Sequence, residues 1–111
     1  MEEKVSKVLF ELGVPHHIKG YAYIKQAVLK ILEDESFREN ITKWLYPDVA
    51  KIYYTTSSRV ERAIRHAVEK VFKNTNFEVL DKYFGNSIDV CKEKVSNKQF
   101  LITIADYILG Y

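Results

Sequence analysis

Arg59, Arg62, Arg65 and His66 crowd into eight consecutive positions, with Glu61 among them. Arginine presents a planar fork of donors that fits a guanine edge or a phosphate, whereas lysine offers a point charge. Every arginine of the chain except Arg38 lies in this stretch. Spacing adds to residue type. At about 100° per residue, Arg62, His66, Glu69 and Lys73 point one way along a helix, with Arg59 and Arg65 flanking them. Val60, Ala63, Ile64, Ala67, Val68, Val71 and Phe72 take the other side at i, i+3, i+4, i+7, i+8, i+11 and i+12. A helix so patterned is anchored by one face and offers guanidinium groups on the other. The competing reading is a solvated helix laced by pairs such as Glu61–Arg65 and Arg65–Glu69.

Such a helix needs something to aim it. Asp48 to Tyr53 reads as a short positioning helix, with Pro47 suited to its first turn and Asp48 complementing its dipole. Val49, Ile52 and Tyr53 can face a core, and Ala50 is small enough for a close helix crossing. Residues 48–73 together read as a helix-turn-helix, a frame that sets its second helix in a DNA major groove. Thr55, Thr56, Ser57 and Ser58 are all candidate N-caps for that helix. Tyr54 is discordant, because a tight turn here favours a residue tolerant of positive φ, usually Gly or Asn. It implies strain or a differently shaped turn.

Composition narrows the classes. The chain has 111 residues and is 47% apolar, so one domain over 1–111 with a real core is expected. The net charge is +2, but Ser57–Lys73 holds five basic and two acidic residues, or +3, which leaves −1 for the rest. The charge is concentrated rather than spread, which excludes a polycationic binder. One cysteine, Cys91, rules out an internal disulfide and a cysteine-based zinc site and reads as a small apolar residue. His16 and His17 are adjacent in a connector with no convergent ligands, so no metal and no cofactor are expected. No nucleophile elbow, phosphate-cradling glycine loop or metal-spaced His/Glu pair occurs, and no enzymatic activity is expected. No apolar run approaches a membrane span, and the acidic, amphipathic N-terminus is unlike a signal peptide. No membrane partner and a cytoplasmic location follow as expectations. Trp44 and most tyrosines read as packing rather than as a stacking surface for single strands; Tyr53 or Tyr54 beside the turn could offer a hydroxyl to a phosphate.

The remaining pattern is helical. A first helix spans 3–12 with Val5, Val8, Leu9 and Leu12 inward and Gly13 as its stop. A connector at 13–20 follows, where Gly20 permits unusual dihedrals. A second helix runs from Tyr21 to Asp34 with Tyr21, Ile24, Ala27, Val28, Ile31 and Leu32 inward. Ser36 with Glu39 suggests a capping box for a third helix, bearing Phe37, Ile41, Trp44 and Leu45 and ended at Tyr46 by Pro47. Phe77 to Tyr83 forms a short helix closed by Gly85, and 86–97 reads as loop. Ser96 or Asn97 caps a final helix carrying Phe100, Leu101, Ile104, Ala105, Ile108 and Leu109, terminated by Gly110. The class is all-α, about six helices.

The segment Ile41-Thr42-Lys43-Trp44-Leu45-Tyr46-Pro47-Asp48-Val49-Ala50-Lys51, and then Ser57-Ser58-Arg59-Val60-Glu61-Arg62-Ala63-Ile64-Arg65-His66, resembles the C-terminal DNA-binding domains of the sporulation response regulators, the stage zero sporulation protein A family. Gly13-Val14-Pro15, His17-Ile18-Lys19-Gly20-Tyr21 and Phe84-Gly85 match the same family, over roughly residues 5–109. The resemblance implies a helical domain of the winged-helix-like superfamily without a wing. It also implies recognition of a short box like TGTCGAA in double-stranded DNA, with tandem copies bound by adjacent domains as a homodimer. Arg59, Glu61, Arg62, Arg65 and His66 match recognition-helix positions near bases. Arginine suits guanine O6 and N7, and glutamate can accept from cytosine N4. Thr56, Ser57, Ser58 and Lys73 are the expected DNA-backbone contacts. Three departures stand out. These 111 residues match the family's DNA-binding part and not its receiver domain, which leaves an excised domain and a stand-alone relative both open. Phe72-Lys73-Asn74-Thr75 stands where the family has Trp-Ser-Arg-Gly. The last third, where contacts with a polymerase sigma factor would fall, diverges. The expected function is a sequence-specific transcriptional regulator domain. The divergent last third and Tyr54 motivate a second reading, a protein-interaction module acting on a sigma factor or a full-length regulator.

Overall fold

Glycine and alanine decide how closely the central helices approach. The computed structural model describes residues 1–85 and 95–110. Its α-helices are α1 (Glu2–Glu11), α2 (Lys19–Glu33), α3 (Tyr46–Ile52), α4 (Ser57–Asn74), α5 (Phe77–Phe84) and α6 (Asn97–Leu109), and no strand occurs among the described residues. Helix α2 is the axle of the fold, packed against α1, α3, α4 and α6. Gly20 belongs to its first turn, not to a loop. A Cβ there would lie 2.6 Å from the Ala63 carbonyl oxygen and 2.9 Å from the Ala67 Cβ, so the missing side chain lets α2 press directly on α4. Gly13 does take the left-handed conformation, at φ 79°, and ends α1 as expected.

The core follows the predicted stripes. Val5, Val8, Leu9 and Leu12 of the first helix and its cap are buried, as are Ile24, Ala27, Val28 and Ile31 of α2. From α4, Val60, Ile64, Ala67, Val68 and Val71 are buried, with Ala63 and Phe72 half-buried. Phe84 of α5 stacks on Phe100 of α6 with centroids 5.6 Å apart and meets the tilted Phe72 ring of α4 at 5.2 Å, closing the far side of the core. Leu101, Ile104 and Ala105 are fully buried beside them, while Leu109 is left exposed. Ser96 and Gln99 form the reciprocal capping box of α6, and Gly110 ends it at φ 88°. The reading of 86–97 as loop, and of Cys91 as a small apolar residue, falls almost entirely outside the described residues; Asn97 itself is already the first residue of α6.

The stretch before α3 departs most from expectation. Asp34, not Ser36, is the cap: its Oδ1 accepts from the Ser36 amide at 2.9 Å and from the Ser36 hydroxyl at 2.7 Å. A 3-10 turn over Glu35–Glu39 follows in place of the first half of an α-helix. Pro47 does not break the chain at Tyr46. A wide turn at Ile41–Leu45 runs straight into α3, with the Leu45 amide donating five residues back to the Asn40 carbonyl at 3.0 Å. Pro47 sits in the first turn of α3, where its missing N–H is not needed. Trp44, expected to pack, is 47% exposed on this turn.

Helices α3 and α4 pack on each other across a four-residue turn. Val49 and Ala50 are buried between helices, but Ile52 and Tyr53 are exposed rather than turned to the core. Tyr54 holds φ 53°, the only positive φ at a non-glycine among the described residues. Its side chain is 97% exposed, so no packing compensates the strain. Among the described residues, no helix is long and apolar enough to cross a membrane.

Candidate nucleic-acid interface

Helix α4 begins where Thr56 stops extended backbone and caps it, its Oγ1 accepting from the Arg59 amide at 3.2 Å. The Thr56 hydroxyl keeps its own hydrogen to donate. Ser57 is half-buried and Ser58 exposed, both within the first turn. From there the buried stripe fixes the rotation of the helix, and Arg59, Arg62, Arg65, His66 and Lys73 are all exposed. Fourteen residues separate Arg59 from Lys73, about 21 Å along the axis at 1.5 Å per residue, so Lys73 stands apart from the cluster at the helix start.

Arg59, Arg62 and His66 share one side of this exposed face. Among the described residues, neither Arg59 nor Arg62 has an ion-pair partner. Glu61 and Arg65 are arranged differently. The Arg65 Nη1 donates to both carboxylate oxygens of Glu61 at 2.8 Å, an i,i+4 pair held one turn apart. These two sequence candidates therefore occupy each other, whereas Arg59, Arg62 and His66 stand open. The second pair considered from sequence, Arg65–Glu69, does not form.

Asn97 is the residue that the sequence reading used only as a candidate cap. It is buried at the head of α6, and its Nδ2 donates at 3.1 Å to both the Tyr46 hydroxyl oxygen and the Glu61 carbonyl oxygen. One amide thus ties α6 to both helices of the helix-turn-helix. Burial raises the Tyr46 hydroxyl above its ordinary value, and the Asn97 hydrogen bond offsets only part of that rise, so the phenol stays neutral. On the opposite side, Lys30 of α2 approaches Asp48 of α3 at 3.9 Å, and the Tyr23 and Tyr53 rings meet edge to face at 5.2 Å. The Arg38–Asp106 ion pair, at 2.6 Å, ties the 3-10 turn to α6. The positioning helix is held from both flanks.

His16 and His17 are exposed, with His16 edge-on to Tyr21 at 4.8 Å. No group of three or more metal-ligating side chains converges among the described residues. The distal cluster of Glu11, Lys82 and Tyr83 is a fastening rather than a reading surface. Glu11 accepts from Lys82 at 2.8 Å and from the Tyr83 hydroxyl at 2.6 Å, and these bonds, the Lys82 one foremost, hold its carboxyl pKa below the ordinary glutamate value.

A short helix, a tight turn and a long helix with an outward arginine face, all held on a helical core, define a helix-turn-helix domain. The chain belongs to the family described as sporulation initiation factor Spo0A C terminal, whose model matches residues 5–108. It is a DNA-binding regulatory domain of the sporulation-initiation type.

Proposed function

We propose that the Arg59–His66 face reads a short box related to TGTCGAA in the major groove of double-stranded DNA. Arg59 and Arg62 grip guanine edges, His66 adds a donor, and the Glu61–Arg65 pair acts as a unit on an adjoining base pair. Thr56, Ser57 and Ser58 hold phosphates at the helix start, and Lys73 reaches the backbone at the far end. Adjacent domains occupy tandem boxes. The observation that carries this reading is the shared exposure of Arg59, Arg62 and His66 with no ion-pair partner on either arginine among the described residues.

Fluorescence-anisotropy titration on box-containing and scrambled duplexes tests it. Arg62→Ala is expected to cost roughly 1–3 kcal/mol on the box and to flatten the preference between the two duplexes. Equal affinity of the unaltered chain for both would overturn the sequence-specific reading.

A further inference from the structure

A cleft of about 220 Å³ opens between the start of α2, the turn and α4. Lys19 and Tyr23 line it from α2, Thr55 from the turn, and Arg59, Arg62 and His66 from α4. No carboxylate is among the lining residues. Lys19 has no ion-pair partner among the described residues, and it alone of the lysines lines this cleft. Tyr23 is 6% exposed, and its hydroxyl makes no hydrogen bond among the described residues. Lys19, Arg59 and Arg62 therefore line one small space together with the Tyr23 ring, and no carboxylate lines it with them. Like charges gathered this way repel, and an anion seated between them would reverse the sign of the interaction.

We propose that this cleft seats a phosphodiester group of the bound DNA strand, with Lys19 as its main counter-charge. The inference rests on the duplex-reading face proposed above. It adds a contact from α2, outside the helix-turn-helix. Continuity favours the strand over a free anion: Arg59, Arg62 and His66 line the cleft and also form the reading face, so a helix seated in the groove brings one lip of the duplex to this flank. The opposite flank offers no such seat, because Arg65 is already neutralised by Glu61.

The test is a salt series between 50 and 200 mM on box and scrambled duplexes, comparing the full chain with Lys19→Gln and with Lys4→Gln on the α1 surface; the salt range is roughly the one over which counterion release is resolved. Glutamine keeps the length of the side chain, and matching thermal melts confirm the fold. Loss of one phosphate contact lowers the slope of log K against log salt by about 0.9, which is about fivefold in affinity near 0.15 M salt. Lys19→Gln is expected to show this loss equally on both duplexes, and Lys4→Gln to show none. An unchanged slope for Lys19→Gln, with box preference intact, overturns the cleft while leaving the reading face standing. Equal affinity of the unaltered chain for both duplexes defeats the reading face, yet the slope on either duplex still decides Lys19. A further arm titrates inorganic phosphate against the amide resonances of Lys19, Gly20 and Tyr21 without DNA. Tight phosphate binding with no slope change would assign the cleft to a free anion and overturn its assignment to the strand.

Discussion

The two flanks of α4 carry similar residues and behave differently. Toward α2, Arg59 and Arg62 open onto a cleft with Lys19 and no carboxylate. Toward α6, Arg65 is chelated by Glu61, whose own carbonyl is held by Asn97. Arg65 has a carboxylate one turn before it at i−4; for Arg59 and Arg62 those positions are Thr55 and Ser58. A single glutamate therefore divides one helix into an open cationic edge and a closed, neutral one. Counting arginines measures the charge of such a helix but not the charge it can offer to a ligand.

Three substitutions break or sharpen this contrast. The largest effect is expected on the open flank from Gly20→Val, whose branched side chain has no room against the Ala63 carbonyl and the Ala67 methyl. Overpacking there should cost about 3 kcal/mol, read as a lower midpoint in urea denaturation, and should distort the cleft so that any surviving DNA affinity falls. Next is Asn97→Ala on the closed flank. It leaves the buried Tyr46 hydroxyl without its donor and unties α6 from α3 and α4, with an expected loss of about 2 kcal/mol in the same measurement. The smallest effect is expected from Glu61→Gln, which makes the flanks alike. The cost of losing an exposed i,i+4 pair is below about 0.5 kcal/mol in stability. Releasing the Arg65 charge should steepen the salt slope by about one and raise affinity for scrambled duplex several-fold. A fall confined to the box would instead assign the Glu61 carboxylate to a cytosine edge.

What the sequence disclosed about these flanks was their local part. The stripe from Val60 to Phe72 fixes which side of α4 is buried, because helical periodicity needs no knowledge of the partner. Thr56 is one of four suitable caps, Ser96 one of two for α6, and the stops at Gly13 and Gly110 are equally local. The strain at Tyr54 was legible because a bulky residue stood where a turn wants glycine. What was hidden depends on distance along the chain. Asn97 bonds residues 51 and 36 positions away, and nothing near it signals that. Gly20 looked like a loop residue because its reason for being glycine lies on α4. Lys19 belongs to the His17–Tyr21 motif, and only the fold shows that it shares a cleft with Arg59 and Arg62. Asp34 outcompeted Ser36 because both are good caps, and sequence gives no measure of where the preceding helix runs out. Helical period allows Ile52 and Tyr53 to face the core, but α3 ends there and the turn swings them out.

The wide turn ahead of α3 has a consequence for insertions and deletions. Its amide-to-carbonyl span of five positions stores one amino acid beyond what an ordinary α-turn holds. That surplus is absorbed within the turn itself. Shortening the segment between Asn40 and Leu45 by one residue would turn it into an ordinary α-turn, and the tighter winding would make up most of the rotation lost with the residue, so Val49 and Ala50 would keep nearly their facing toward α4. A single-residue deletion in this turn should therefore lower the urea midpoint less than one inside α4, where nothing absorbs the lost rotation of roughly 100°.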